Sequence, residues 1–161
     1  MSHLEERMEA DLNYIRDWLW NIGDDVEKAL RDAKKTLILR DSDMAYDVIL
    51  GDHPINRASR HCDRLCHTFI ARYLPGAGAL REMASTIRIN VILERIGDYA
   101  VTICREALQL EAPLPEKFSA KIDAIADDSI EILAGARRAF KEGNAEQAIA
   151  LMQAAKRMEG R

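Results

Sequence analysis

The chain has 161 residues, of which 48% are hydrophobic and 31% charged, and its formal net charge at pH 7 is −4. This length suits one folded domain, and the composition lacks the signature of a disordered chain. The acidic balance argues against a nucleic-acid-binding surface, which is normally basic. No apolar run approaches the ~18 residues of a membrane-spanning helix, and the charged start is unlike a secretory signal. Three cysteines do not make a disulfide framework, so we expect a cytoplasmic protein.

Glycine and proline divide the chain into five predicted helices. Ser2 and Glu5 fit a capping box at the start of the first helix, and Asp41 or Ser42 can cap the second. Pro54 should kink the second helix, because an interior proline removes a backbone hydrogen bond. The predicted helices cover residues 2–40, 42–73, 80–110 and 118–141, with a fifth from about residue 145. No sustained period-two alternation indicates a strand, so an all-α fold is predicted.

A shift of 103 residues exposes an internal repeat. It places Ile22 on Ile125 and Ala33 on Ala136, with further matches between the flanking acidic and basic residues. The alternative is a chance similarity between two amphipathic helices. On the repeat interpretation, one unit has three helices and the second unit stops inside its second helix. We therefore expect a groove at the second unit, or a partner that fills it.

The third predicted helix carries two acids one turn apart. Glu94 and Asp98 fall opposite the stripe that should form the main core contact. Carboxylates at i and i+4 can share a cation, but they can equally be solvated, with Arg95 or Arg105 as surface partners. The expected core stripe consists of Ile89, Ile92, Leu93, Ile96, Ala100 and Ile103.

The second predicted helix carries an oxygen-bearing face. Asp52, Asn56, Ser59 and Asp63 recur at spacings of four, three and four. If the second and third helices pack antiparallel, as their short connection suggests, this face can approach Glu94. Such faces suit hard or borderline cations, namely iron, manganese, magnesium or zinc.

The segment HCDRLCH, residues 61–67, places Cys62 and Cys66 one turn apart between two histidines. A zinc site would need a second pair of ligands, and the spacing is C-x3-C rather than C-x2-C. Ordinary buried cysteines are the preferred interpretation.

Several motifs together resemble the PhoU family of phosphate-uptake regulators. These motifs are DHPIN from Asp52, Cys66, IAR at residues 70–72, Pro75, LR at residues 80–81 and LERIGD at residues 93–98. The resemblance implies an antiparallel helical bundle built from three-helix repeats. Residues 1–112 would form the first repeat, and residues 113–161 a partial second repeat.

The resemblance also implies a regulator rather than an enzyme. Family members reduce phosphate-starvation signalling. They act between a phosphate ABC transporter, by contact with its ATPase, and a sensor histidine kinase. They bind iron or zinc through E/D-x-x-x-D motifs, which points to Glu94 and Asp98, to Asp52 and Asn56, and to Asp63 as an additional ligand. Manganese or magnesium is an alternative metal, and a homo-oligomer is expected.

Two departures from the family pattern bear on this interpretation. Asn56 is a weaker metal ligand than aspartate, and the second repeat has no counterpart of LERIGD, so at most one of two metal sites is present. The alternatives to a metal-loaded regulator are a metal-free helical adaptor and a di-metal carboxylate enzyme. The enzyme class typically uses E-x-x-H pairs, and the chain contains none.

Overall fold

The computed structural model describes residues 3–159, which form five α-helices and contain no strand. The helices are α1 His3–Leu39, α2 Ser42–Tyr73, α3 Ala77–Gln109, α4 Glu116–Glu142 and α5 Ala145–Glu159. The predicted all-α helical bundle is confirmed. The predicted helix start at Ser2, with its capping box, lies outside the described residues.

Hydrogen bonds at the connections set the helix ends. Asp41 Oδ1 accepts a hydrogen bond from the Met44 amide at 2.9 Å, so Asp41 caps α2. The predicted start of α3 at Leu80 is too late, because the Leu80 amide already donates to the Gly76 carbonyl at 3.0 Å. Pro54 lies inside α2, which continues to Tyr73 as one helix.

The turn between α4 and α5 has the residues that such a turn needs. Gly143 has a φ of 64°, a left-handed conformation that glycine adopts without a side-chain clash, and it ends α4. Asn144 Oδ1 then accepts the Gln147 amide at 3.0 Å and caps α5. At the other end of α4, the Pro115 carbonyl accepts the first hydrogen bonds, so the helix begins slightly before the predicted start.

The chain forms two compact units, each assembled from segments that are distant in sequence. The first combines α1 up to Val26 with Leu50–Tyr99, and the second combines Glu27–Ile49 with the chain from Ala100 onward. The core of the second unit includes a cluster formed by Ala33, Ala45, Val48, Ala100 and Cys104. The division into repeats at residue 112 stays a prediction.

The buried face of α3 differs from the predicted stripe. Leu93 and Ala100 are buried as expected, but Ile92 is 54% exposed. The helix is rotated so that polar residues enter the core, where the Asn90 side-chain amide donates to the Ser59 carbonyl at 2.9 Å. A stripe drawn through the largest apolar residues misses this face because small and polar side chains line it. The buried residues of α3 are Met83, Thr86, Asn90, Leu93, Gly97, Ala100, Val101, Cys104 and Ala107.

Candidate functional site

On α2, the candidate site consists of an acid and an amide that are joined by a hydrogen bond. Asp52 and Asn56 lie one turn apart on α2, and both are half-buried. The Asn56 side-chain amide donates from Nδ2 to Asp52 Oδ2 at 2.7 Å. These two residues occupy the motif position at which the family resemblance implies a pair of metal ligands.

The second oxygen of each side chain has a different environment. Asp52 Oδ1 and Asn56 Oδ1 are both buried and have no hydrogen-bond partner within the described residues. Asp52 Oδ1 faces Gly97 of α3, since a Cβ built on Gly97 would lie 4.0 Å from it. Asp52 on the predicted acidic face of α2 therefore lies near Gly97 of α3, whereas the approach of that face to Glu94 and Asp98 stays a prediction.

The predicted acids on α3 differ in exposure. Glu94 is half-buried, whereas Asp98 is exposed and engaged in a further interaction. The remaining predicted ligand, Asp63, is also the partner of His67, whose Nδ1 lies 3.4 Å from Asp63 Oδ2. Asp63 is eleven residues beyond Asp52, which separates them by about 16 Å along a helix. Asp63 and Asp52 therefore do not reach the same ion.

The donor set can be tested against the metal that the resemblance implies. Two buried oxygens without protein partners suit a hard cation. However, among the described side chains of residues 3–158 no three His, Cys, Asp or Glu groups are placed so that they could hold an ion. The residues as arranged thus do not complete a metal site, and metal binding by Glu94, Asp98, Asp52, Asn56 and Asp63 stays a prediction.

The cysteines are buried, as predicted. Cys62, Cys66 and Cys104 are free thiols with no exposed surface. The thiol of Cys66 hydrogen-bonds to Cys62, which lowers the pKa of Cys62 and raises the pKa of Cys66. Burial raises the pKa of the Cys104 thiol. The neighbouring His61 packs against Trp18 with the two rings tilted by 58° and their centroids 4.6 Å apart, so its ring is part of the helix packing.

The helices α4 and α5 form a hairpin with an open apolar face. Ile22 of α1 is 1% exposed, whereas its repeat counterpart Ile125 of α4 is 50% exposed. Ala33 is likewise buried and its counterpart Ala136 exposed. A groove of ≈ 320 Å³ on this hairpin is lined by Asp128, Glu131, Ile132, Leu151, Ala154, Arg157 and Met158.

None of the helices in the described range is long and apolar enough to cross a membrane. The described residues form an all-α helical bundle. The PhoU domain model matches residues 19–107, and the chain belongs to the PhoU family.

Relatives and solved structures agree with this assignment. A phosphate-specific transport system accessory protein PhoU homolog from Pseudomonas putida is 34% identical over 153 residues, which are 94% of this chain and 59% of that protein. The crystal structure of PhoU from Pseudomonas aeruginosa superposes with a TM-score of 0.88 at 33% identity, covering 92% of this chain and 71% of that one. PhoU from Streptococcus pneumoniae gives 0.87 at 27% identity, covering 95% of this chain and 72% of that one.

The chain spans about three fifths of the length of the Pseudomonas putida relative and 65% of the PhoU of Edwardsiella tarda. The relatives are named as accessory proteins of a transport system, not as enzymes. This agrees with the prediction of a non-catalytic protein.

Proposed function

We propose that the chain is a cytoplasmic regulator of phosphate uptake and phosphate-starvation signalling. It would act by contact with the ATPase of a phosphate ABC transporter, with a sensor histidine kinase, or with both. The observation that carries this proposal is the family match over residues 19–107, together with a fold that superposes on PhoU at a TM-score of 0.88. Relatives of this kind are named for the phosphate-specific transport system.

A regulator of this kind acts by binding to its partner protein. Its exposed helix surface binds one signalling state of the partner more tightly than the other, and only that difference in affinity shifts the partner's equilibrium. The helices offer such surface without any catalytic chemistry. Exposed apolar side chains on α3 include Leu80, Val91, Ile92 and Tyr99.

The test is complementation in a bacterial strain that lacks its own PhoU regulator and carries a phosphate-starvation reporter. Expression of this chain should lower the reporter signal in phosphate-replete medium. Binding of the purified chain to the isolated ATPase subunit and to the kinase, measured by biolayer interferometry, then identifies the partner. A folded, well-expressed chain that leaves the reporter unchanged and binds neither protein would contradict the proposal.

Metal binding is a separate proposal. Glu94 and Asp98 on α3, with Asp52 and Asn56 on α2, would hold a metal ion, with iron or zinc expected from the family and manganese or magnesium as alternatives. The supporting observation is the pair of buried oxygens without protein partners on Asp52 and Asn56. Elemental analysis of tag-free protein should find metal that the Glu94→Ala/Asp98→Ala variant has lost.

Self-association through the α4–α5 hairpin is proposed on its exposed apolar side chains. Ile125, Ile149 and Met152 are each at least half exposed. Packing two such faces together would remove this apolar surface from water, which is the main driving force for association. Light scattering should give a dimer or larger mass for the wild type and a monomer mass for Ile149→Glu/Met152→Glu. A monomeric wild type would contradict this part of the proposal.

A metal-free helical adaptor is the second candidate. The observation that favours it is that no group of three ligand side chains is assembled among the described side chains of residues 3–158. Protein that contains no metal but still binds the transporter ATPase or the kinase would decide for this candidate. Only turnover of a test substrate by the purified chain would support the interpretation as a di-metal enzyme.

A further inference from the structure

The exposed side of α2 carries a row of five basic residues. They follow one another at spacings of four, three, four and three, which keeps them on one face of the helix. The row extends over fourteen positions, so it is about 21 Å long. Its members are all exposed, namely His53, Arg57, Arg60, Arg64 and His67. The chain as a whole has a net charge of −4, so this row is opposite in sign to the rest of the protein.

The helices α2 and α3 pack antiparallel within the first compact unit. Asn90 of α3 donates to the Ser59 carbonyl of α2 at 2.9 Å, and a Cβ built on Gly97 of α3 would lie 4.0 Å from Asp52 Oδ1. Successive residues of a helix are rotated by about 100° about its axis, and in an antiparallel pair these rotations turn to the same side. The residues that directly follow Ser59 and Asn90 therefore share one outer face of the helix pair.

On α3, this outer face carries both arginine and apolar side chains. Its central pair is Arg60 of α2 and Val91 of α3, which directly follow the two contact residues. Val91 is 48% exposed. The other exposed residues of α3 on this side are Leu80, Ala84, Arg88 and Arg95. Exposed aliphatic side chains therefore lie among arginines, and this surface together with the row on α2 is called the basic face below.

The exposed part of these two helix segments lacks acidic residues. No Asp or Glu is exposed between residues 53 and 72 of α2 or between residues 77 and 95 of α3, all of which the structure describes. Asp63 and Glu94 are half-buried, and Asp63 contacts His67 at 3.4 Å. Asp98 is the first exposed acid after Arg95. The exposed residues of the basic face therefore carry a net positive charge.

We propose that the basic face binds the surface of an anionic phospholipid membrane. The planar guanidinium group of arginine matches the phosphate of a lipid headgroup in shape and charge. The aliphatic side chains among the arginines can enter the boundary between headgroups and acyl chains, which an acidic protein does not offer. Clustered basic side chains on an amphipathic helix surface are typical of this kind of binding. The proposal goes beyond the regulatory function and does not depend on the identity of a protein partner.

The first experiment measures co-sedimentation of the purified full chain with vesicles. Vesicles of phosphatidylglycerol and phosphatidylethanolamine should bind the chain, whereas vesicles of phosphatidylcholine alone should not. Binding should fall steeply as the salt concentration rises from about 0.1 M to about 1 M, because the screening length then falls from about 10 Å to about 3 Å. Equal binding to both kinds of vesicle, or binding to neither, would overturn the proposal.

Neutralising the row on α2 identifies the surface that binds. Arg57→Gln/Arg60→Gln/Arg64→Gln should weaken vesicle binding at least about tenfold, because each arginine near an anionic membrane contributes about fivefold in affinity. Unchanged binding by this variant would refute the role of the basic face. Thermal denaturation followed by circular dichroism shows whether the variant is folded, and the lipid and salt dependence of the wild type tests the proposal without any variant.

The matched control removes the same charge from exposed arginines outside the basic face. Arg7→Gln/Arg105→Gln/Arg138→Gln changes one residue on each of α1, α3 and α4. It should bind vesicles as the wild type does. A loss as large as that of the α2 variant would mean that net charge alone controls binding, which contradicts the assignment to this face.

The apolar side chains separate a membrane from an acidic protein as the binding partner. Leu80→Ser/Val91→Ser keeps the charge of the face, and it should weaken vesicle binding at least about fivefold because less apolar surface leaves water. Soluble poly-glutamate serves as the probe for an acidic protein. If poly-glutamate binds the wild type as tightly as the vesicles do, and Leu80→Ser/Val91→Ser binds both normally, the face recognises acidic protein and the membrane proposal fails.

The outcomes are independent of the proposed regulatory function. Vesicle binding in a chain that fails to lower the phosphate-starvation reporter would refute the regulator and leave membrane binding standing. A chain that lowers the reporter but does not bind anionic vesicles would refute membrane binding alone.

Discussion

The backbone of Gly97 in α3 lies against the carboxylate of Asp52 in α2. A methyl group built on Gly97 would fall 3.8 Å from Ile55 Cγ2, 3.9 Å from Val26 Cγ2 and 4.0 Å from Asp52 Oδ1. These are ordinary van der Waals distances. The close approach of α2 and α3 therefore leaves room for an alanine at this position, but for no larger side chain without movement of these neighbours.

Gly97→Ala should stabilise the chain. Alanine loses less conformational entropy than glycine in the middle of a helix, so we expect the free energy of unfolding to rise by about 0.5–1 kcal/mol. Urea denaturation followed by circular dichroism measures the change. Gly97→Leu is the matched control and should be destabilising, because its larger side chain meets the three neighbours. A loss of stability in the alanine variant would show that the space at Gly97 is needed.

Gly135→Ala on α4 should not give the same gain. A Cβ at Gly135 would lie 2.9 Å from Leu151 Cδ2 of α5, which is too close unless Leu151 moves. We expect a free energy of unfolding at or below that of the wild type, although the helix propensity gain is the same as at Gly97. The double variant Gly135→Ala/Leu151→Ala tests the cause: if the clash is responsible, the cost of Gly135→Ala should disappear in the Leu151→Ala background.

The ion pair between Arg137 of α4 and Glu27 of α1 should matter more than a surface pair. Arg137 Nη1 lies 2.8 Å from Glu27 Oε2, and the two side chains are only 8% and 19% exposed. Arg137→Ala leaves Glu27 Oε2 poorly hydrated while Arg31 still contacts Oε1 at 2.7 Å, so a loss of about 1–2 kcal/mol is expected. Arg16→Ala, which breaks the more exposed pair with Glu82, should cost less than about 1 kcal/mol. Equal losses in urea denaturation would contradict this difference.

The contribution of Lys34 should disappear at high pH. Its ammonium group lies 2.6 Å from Asp123 Oδ1 and 2.7 Å from Asp127 Oδ1, and these two hydrogen-bonded carboxylates raise the pKa of Lys34 above 10.5. A raised pKa in the folded state stabilises the protein below pH 10.5, and this stabilisation is lost as the pH rises through the folded-state value. The wild type should therefore exceed Lys34→Met in stability at pH 8, by up to about 1 kcal/mol.

The measurement is the difference in the free energy of unfolding between wild type and Lys34→Met at pH 8 and at pH 11 and above. Taking the difference cancels the titration of other groups. Lys35→Met is a suitable control, because Lys35 makes a single 3.4 Å contact with Asp32 on its own helix. A difference for Lys34 that does not shrink at the higher pH would refute the assigned role of its charge.

The helices could be predicted from the sequence because their ends carry local signals. Asp41, Gly143 and Asn144 act within one turn of their own position, so reading neighbouring residues is enough to find them. The rotation of α3 could not be predicted in this way. Asn90 is buried because it donates to the Ser59 carbonyl, a partner 31 residues away that only the packed structure identifies.

The candidate site was predictable in part. The motif spacing identified Asp52 and Asn56 as neighbours on one helix face, and the structure places that face against Gly97. The spacing could not show that the Asn56 amide turns toward Asp52 rather than away from it, since a helix allows several side-chain rotamers at each position. The separation of Asp63 from Asp52 could have been found from the sequence, since eleven residues span about 16 Å along a helix and His67 lies one turn from Asp63.

The α4–α5 turn also has a consequence for the order of folding. The residues that this turn brings into contact are near in sequence, since Ser129 and Met158 are separated by 29 residues. The contact between Arg16 of α1 and Glu82 of α3 instead joins residues that are 66 positions apart. Shorter closures lose less chain entropy, and local contacts form sooner. We expect the α4–α5 hairpin to gain protection from hydrogen exchange before the pairing of α1 with α3 when refolding is sampled by pulse labelling.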